Sequence, residues 1–348
     1  MKKIMLAIVA LVVIMGCSPS KRGQRTANPF YNDIVIKTTP VPDQGHSSLC
    51  WVYAMLATIE SEHLMQGDSV HLSADYVARM LLADEAPRCY FNREGGQVSM
   101  RGMASMTLDL MDAHGILPYD SYYNSGNVDY KATARTIEQI AKTSSSLAKM
   151  RARVEKALDE NIGYLPGTIM MLGAKYTPKE FAHSVCLPEE YLALTSFTHH
   201  PFGQSFALEV PDNQYNDKFL NVPVDSLMHI VVQALWHGHP VCWEGDISEP
   251  KFDFNNGIAV LQNERDNVDQ QDRQRAFETR RTTDDHCMEL CGLAHDNQGH
   301  RFFIAKNSWG TDNRFGGFMY LSYNYVKLKT IAVYLSRNAL LSKTMLRE

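Results

Sequence analysis

The 348-residue sequence contains no run of lysine and arginine and no basic stripe, and its 34 Lys and Arg stand against 39 Asp and Glu for a formal charge of −5. Without a continuous basic face there is nothing to neutralise a phosphate backbone, which argues against a nucleic-acid partner. Long apolar runs are missing too. The most apolar stretch, Ile4 to Ile14, is too short to span a bilayer as a stable helix. Seven cysteines (Cys17, Cys50, Cys89, Cys186, Cys242, Cys287 and Cys291) show no repeating spacing, so no disulfide framework is expected and most thiols should be free and buried. What remains, 45% hydrophobic, 21% charged and 10% aromatic residues, is the profile of a globular chain. Its length exceeds what one core of about 250–300 residues accommodates, so two lobes or two domains are expected.

The N-terminus stands apart from that core. Lys2 and Lys3 precede the apolar run and Met15-Gly16-Cys17 follows it, the layout of a secretory signal over residues 1–16. Ile14-Met15-Gly16-Cys17-Ser18 resembles a bacterial lipobox. That resemblance implies acylation of Cys17 and a lipoprotein anchored to a membrane of the bacterial cell envelope, on its periplasmic or surface face. A cleaved signal with an incidental cysteine is the plainer alternative. Residues 17–32 carry Lys21, Arg22 and Arg25 and no acid, which suits a flexible tether near anionic headgroups or a plain solvated linker.

Residues 33–220 read as a helical lobe. Cys50 to His63 is an apolar run after a Gly/Ser turn, Ser73 has the look of a helix start, and Val98 to His114 carries Met and Leu at helical spacing until Gly115. Between residues 120 and 165, Ile137, Ile140, Leu147, Val154 and Leu158 recur among charged residues, as in an amphipathic helix or helix pair. Residues 221–338 change character. Pro240 to Trp243, Gly257 to Leu261, His286 to Ala294, Arg301 to Lys306, Phe318 to Leu321 and Ile331 to Leu335 are strand candidates separated by turns. An α+β fold with a cleft between a helical and a β-rich lobe follows, with residues 339–348 as a tail.

Chemistry concentrates at Asp43 to Trp51, Thr282 to His286 and Lys306 to Gly310. A cysteine in the first turn of a helix sits at the positive end of the helix dipole, which favours thiolate. His286 can complete an ion pair with Cys50, Asn307 can hold the other ring nitrogen, and Gln44 with the Cys50 N–H can cradle an oxyanion. Taken alone, a cysteine beside a tryptophan is most often a core residue. Metal sites are not expected. Cys287 and Cys291 fall on a strand candidate, about 13 Å apart at roughly 3.3 Å per residue, too far to bridge or to share a zinc ion with His286 and His295. The pairs His199-His200 and His237/His239 lack a third ligand at convincing spacing. No cofactor is called for.

The glutamine six residues before Cys50-Trp51, followed by His286 and then Asn307-Ser308-Trp309-Gly310, resembles papain-like cysteine peptidases. The wider set of blocks (Glu94-Gly95-Gly96-Gln97, His199-His200-Pro201-Phe202, Asn221-Val222-Pro223, Gly245-Asp246 and Thr282 to His286) is most similar to the bleomycin hydrolase or aminopeptidase C branch. The resemblance implies a papain-like two-lobe fold, with a helical N-terminal lobe and an antiparallel β-barrel-like C-terminal lobe. It implies Cys50 as nucleophile, His286 as general base and acid, Asn307 as its orienter, Gln44 as oxyanion donor and Trp309 as a shield over the His286–Asn307 bond. Trp51, Gly95, Gly96 and Trp309 would lie against a peptide substrate, and Glu348 would offer its terminal carboxylate to the substrate's α-amino group, making an aminopeptidase. A tail outside the cleft would leave an endopeptidase, and a silent version of the fold would be a peptide-binding lipoprotein. Ser48 stands where the family usually has glycine, and the region after Asp120 is shorter than usual. The family's hexamer, and homo-oligomers generally, stay open.

Overall fold

A helix that is apolar on every face has to be buried on every face, and the segment beginning at Cys50 is of that kind. A computed structural model describes residues 28–92, 95–124, 128–171, 173–187, 189–264 and 267–341. The expected signal, Cys17, most of the tether, Glu94 and Glu348 lie outside the described residues. The chain runs β1 (Phe30–Val35), α1 (Cys50–Gln66), α2 (Ala74–Phe91), α3 (Ala104–His114), α4 (Tyr130–Thr143) and α5 (Leu147–Asn161). There follow β2 (Ile169–Met171), β3 (Ala174–Tyr176), α6 (Pro178–Val185), β4 (Tyr191–Thr195), β5 (Ser205–Ala207), β6 (Lys218–Asn221) and α7 (Val224–Trp236). The remainder is β7 (Val241–Gly245), β8 (Phe252–Asp253), β9 (Ile258–Ala259), α8 (Gln270–Glu278), β10 (His286–Asp296), β11 (Arg301–Lys306), β12 (Phe318–Ser322), α9 (Tyr323–Lys329), β13 (Thr330–Ser336) and α10 (Asn338–Leu341).

Local chemistry sets several of these ends. Gly67 closes α1 in the left-handed region at φ 87°, and the Ser73 hydroxyl accepts the Tyr76 N–H to start α2. The helix expected from Val98 begins only at Ala104. The residues before it stay extended because the Trp51 indole N–H donates to the Met100 carbonyl at 3.1 Å, tying that segment across α1. The amphipathic stretch is two helices, with Asp129 and Ser146 capping α4 and α5.

Eleven of the described strands form one large mixed sheet, ordered β5-β6-β4-β13-β7-β10-β11-β12-β9-β8, with β1 also paired to β10, while β2 and β3 form a separate two-stranded sheet. Most neighbours are antiparallel, as expected, but β12–β9 and β4–β6 are parallel, and the path is open among the described strands. Residues up to Asn221 supply β1 and β4 to β6 to this sheet; β4 to β6 are three to five residues long, too short to show a period in the sequence.

Period-two alternation assigns the central strands to two cores. Cys242, Cys287, Ile331, Ala332 and Tyr334 face the core built with α1 to α6, where Trp51, Leu81, Ile137 and Leu158 pack. Trp243, Met288, Leu290, Val333 and Leu335 face the other, with Leu227 and Val231 of α7. The sheet is thus covered on both faces. Among the described residues no helix is long and apolar enough to cross a membrane.

A buried polar chain ties α1 to the sheet. Lys306 Nζ donates to Thr39 Oγ1 at 2.9 Å and lies 3.6 Å from the buried Glu289 carboxylate; the Thr39 hydroxyl donates to Glu60, and the Leu72 N–H donates to Glu60 Oε1 at 2.7 Å. Burial pushes the Glu60 carboxyl up to about 7, against the hydrogen bonds from Thr39 and Leu72. An unfolded glutamate titrates near about 4.3, so the folded state holds this proton to higher pH. The group's contribution to stability is complete below about pH 4 and is lost as the pH rises through about 7, a change of about 4 kcal/mol. Glu60→Gln is expected to remove that slope, so urea unfolding at pH 5 and pH 8 should show the wild type losing stability relative to the variant at the higher pH.

Candidate active site

Cys50 is the first residue of α1, and Leu49 before it makes no side-chain cap bond. An uncapped helix N-terminus directs its N–H groups and the positive end of its dipole at whatever faces it. What faces it is the start of β10. The Cys50 thiol is held well below the ordinary thiol range, first by the hydrogen bond from the Cys287 thiol and then by His286, against the opposing effect of burial. Cys287 itself is pushed well up by burial and by its contact with Cys50, so it stays a protonated donor. Cys50 is only partly buried, which leaves its sulfur open to a cleft.

His286 Nε2 lies 2.8 Å from Asn307 Oδ1, buried, across the antiparallel β10–β11 pair. The amide's orientation is fixed independently, since Oδ1 also accepts the Ser308 N–H at 2.8 Å. An oxygen can only accept, so His286 carries its proton on Nε2 and keeps Nδ1 for the Cys50 sulfur. The Trp309 ring covers His286, with centroids 4.7 Å apart. Asp246 holds the approach to the histidine, accepting the Thr283 N–H at 2.9 Å.

Gln44 comes from a loop zipped onto the same strand end. Its N–H donates to the Ser308 carbonyl at 2.8 Å and the Gly310 N–H donates to Pro42 at 3.0 Å. The Ser308 hydroxyl donates to Gln44 Oε1 at 2.6 Å, and one Nε2 hydrogen goes to Ser47 O at 2.9 Å. The second Nε2 hydrogen is then available as a donor. The sequence-predicted quartet Gln44, Cys50, His286 and Asn307 is thus gathered from one loop, one helix, the start of β10 and the residue just after β11.

A cavity of about 190 Å³ opens on Cys50 and His286, with Gln44, Trp51 and Trp309 in its walls. Gly95 and Gly96 are not in those walls. They follow α2, where the Gly96 N–H donates back to Asn92 and a Cβ on Gly96 would come within 2.4 Å of the Asn92 carbonyl, so tight helix closure explains the glycine. The glycine at the cleft is Gly102, where a Cβ would meet Met106 at 2.7 Å and Trp51 at 3.1 Å. Sequence reasoning also missed Arg101, Asp212, Glu244 and Cys287, all of which line the cavity. Glu244 carried a usable signal, an acid directly after the apolar run Pro240 to Trp243. A larger cavity, about 800 Å³, adjoins the other side chains of the Asp43–Ser47 loop and contains neither Cys50 nor His286.

The third ligand thought missing beside His199 and His200 exists: Glu209 accepts from their Nε2 atoms at 3.1 and 2.6 Å. The Thr198 N–H fixes Gln274 Oε1 as an acceptor at 2.7 Å, so Gln274 Nε2 must donate to His199 Nδ1 at 3.0 Å. His199 therefore carries its proton on Nε2, toward Glu209, and a hydrogen-bonded His–Glu–His cluster accounts for all three groups. His239 likewise meets a carboxylate, Glu62, at 2.8 Å.

A thiol, an imidazole and an orienting amide in a sheet-and-helix cleft define a papain-like cysteine peptidase. The chain belongs to the Peptidase C1-like family, whose profile matches residues 170–347, just over half of it. Its fold is similar to that of PepW from Lactobacillus rhamnosis HN001, with a TM-score of 0.66, 17% identity, and coverage of 89% of this chain and 82% of that one. Digestive procathepsin L 3 of Tenebrio molitor larval midgut matches more loosely, at TM-score 0.43 and 16% identity over 90% of this chain and 71% of that one. The bromelain protease from Ananas comosus gives 0.41 and 14% over 86% and 94%. No curated protein matches the sequence.

A depressed thiol pKa is directly measurable. Iodoacetamide should alkylate Cys50 at pH values where an ordinary thiol is unreactive, and Cys287→Ala and His286→Ala should each move the midpoint of the rate-versus-pH curve upward, read by mass spectrometry of the Cys50 peptide.

Proposed function

We propose that this cysteine peptidase is an aminopeptidase of bleomycin hydrolase type, with Cys50 as nucleophile, His286 as general base and acid, Asn307 as orienter and Gln44 as oxyanion donor. The observation that carries the reading is the proton bookkeeping at His286: Asn307 Oδ1, anchored by the Ser308 N–H, takes the Nε2 hydrogen and leaves Nδ1 for the sulfur. Cys50 attacks the peptide carbonyl, and the oxyanion is met by the Cys50 N–H and the free Gln44 hydrogen. His286 returns the proton to the leaving amine, and water, activated by the same imidazole, then hydrolyses the thioester. The ordered sequence blocks favour the exopeptidase branch, and a cavity of about 190 Å³ beside the thiol, smaller than the roughly 300–1,000 Å³ of usual ligand pockets, suits the end of a peptide. Acylation of Cys17 would hold the enzyme at a membrane of the cell envelope, where its substrates are peptides of that compartment.

The role of the tail is separable. Thr330 pairs with Gly245 next to His286, and Ser336 pairs with Tyr191 at the far end, so β13 leads the chain away from the cleft. Ala339 is buried in the second core, so a truncation should fall after Leu341. Aminoacyl fluorogenic substrates with free and with acetylated N-termini, offered to wild type, Cys50→Ala and the truncated form, test the proposal. The expected outcome is cleavage of free N-termini only, abolished by Cys50→Ala. Equal cleavage of acetylated peptides by the wild type would make it an endopeptidase, and no cleavage of either would make it a peptide binder.

A further inference from the structure

Two buried acids sit in the wall of the cleft with no work assigned to them. Glu244 is on β7, in register with Cys287 of β10, and Asp284 is two residues before His286. They are 1% and 8% exposed. Glu244 Oε2 accepts the Tyr334 hydroxyl at 2.7 Å, but among the described residues no N–H or O–H group donates to Glu244 Oε1 or Asp284 Oδ2. The two carboxyls face each other, and burial raises both, Asp284 to about 7. Alone, such a pair is tolerable only by sharing a proton. The nearest cation cannot replace that proton: Arg101 is already held by Asp212, with Nε 2.8 and 3.0 Å from its two oxygens, and it reaches only the Asp284 backbone carbonyl, at 3.2 Å.

We propose that the Asp284–Glu244 pair is a cation subsite of the active cleft, taking the positively charged end of the acyl part of the peptide bound at Cys50. The preferred occupant is the α-ammonium of the substrate's first residue, which takes the place of the shared proton as that proton leaves to solvent. A lysine or arginine side chain next to the scissile residue has the same chemistry. This rests on the peptidase reading and supplies, from within the fold, an anchor for the amino group that does not depend on the tail. A buried carboxylate pair that is neutralised only by a bound cation makes the unprotonated, acetylated peptide the poorer ligand.

The test has a binding arm and a kinetic arm. Full-length Cys50→Ala protein is titrated by calorimetry with alanyl-alanine, its N-acetyl form, and N-acetyl-lysyl-alanine, and the titrations are repeated with Asp284→Asn and Glu244→Gln added. Both amide variants keep the shape of the site, Gln at 244 keeps an acceptor for Tyr334, and thermal unfolding checks that they are folded. The expected result is binding of a cationic peptide at least about tenfold tighter than the acetylated neutral one, with that preference lost in Asp284→Asn; which of the two cationic peptides prevails assigns the source of the charge. Equal binding of all three, or a preference that survives both amide variants, overturns the proposal. With Cys50 intact, Asp284→Asn should raise KM for free aminoacyl substrates about tenfold with kcat nearly kept. Because binding is read without turnover, an inactive wild type that still prefers cations would sink the peptidase reading and leave the subsite standing.

Discussion

Everything at the site depends on one docking: the N-terminus of a helix buried from Trp51 through most of its length, pressed against the first residues of β10. That contact sets Cys50 against His286 and Cys287 at once, and it exists only because α1 is apolar on nearly all sides and the sheet face it meets is apolar at alternate positions. Three of the polar groups that intrude, Glu60, Lys306 and Glu289, are drawn together with Thr39 in one chain across the junction. Helix dipole, thiol donor and imidazole then act on the same sulfur from fixed directions, without any moving part.

The second constraint is the tying of the Pro42–Gln44 loop to Ser308–Gly310. Ser308 holds Asn307 with its N–H, Gln44 with its hydroxyl, and the Gln44 backbone with its carbonyl. The amide that orients the histidine and the amide that would meet the oxyanion are therefore positioned by a single residue. Geometry on the two sides of the scissile bond is coupled in this way, and a disturbance at either amide passes to the other through a side chain of two heavy atoms.

Much of this was legible in the sequence, for identifiable reasons. Cys50, His286, Asn307 and Gln44 stood out because each lies in a dense local motif, and the strands from Pro240 onward could be read because they are flanked by turns and rich in β-branched and aromatic residues. The short strands β4 to β6 carried no such period, and the placement of β1 beside β10 is set by pairing over more than 250 residues, which no local pattern reports. Gly95-Gly96 could not be placed by pattern alone, because glycine is demanded equally by a helix end and by a substrate cleft, and only packing tells the two apart. Cys287, Asp212 and Arg101 were invisible as site residues, and Glu244 showed only as an acid after an apolar run, because the cleft is assembled from separate elements, each contributing a side chain whose neighbour in space is far away in the chain.

The sheet order has a further consequence for how the protein comes into being. β13 is the last of the described strands, yet it lies between β4 and β7, in the interior of the sheet. Until it inserts, β7 lacks one neighbour, and with it the partner of Gly245 and Glu244 and the hydroxyl that holds Glu244. A growing chain would thus carry its thiol, its imidazole and its amide before it has the platform that aligns them. Competence would wait on β13, a delay built from topology alone that keeps an incomplete peptidase idle.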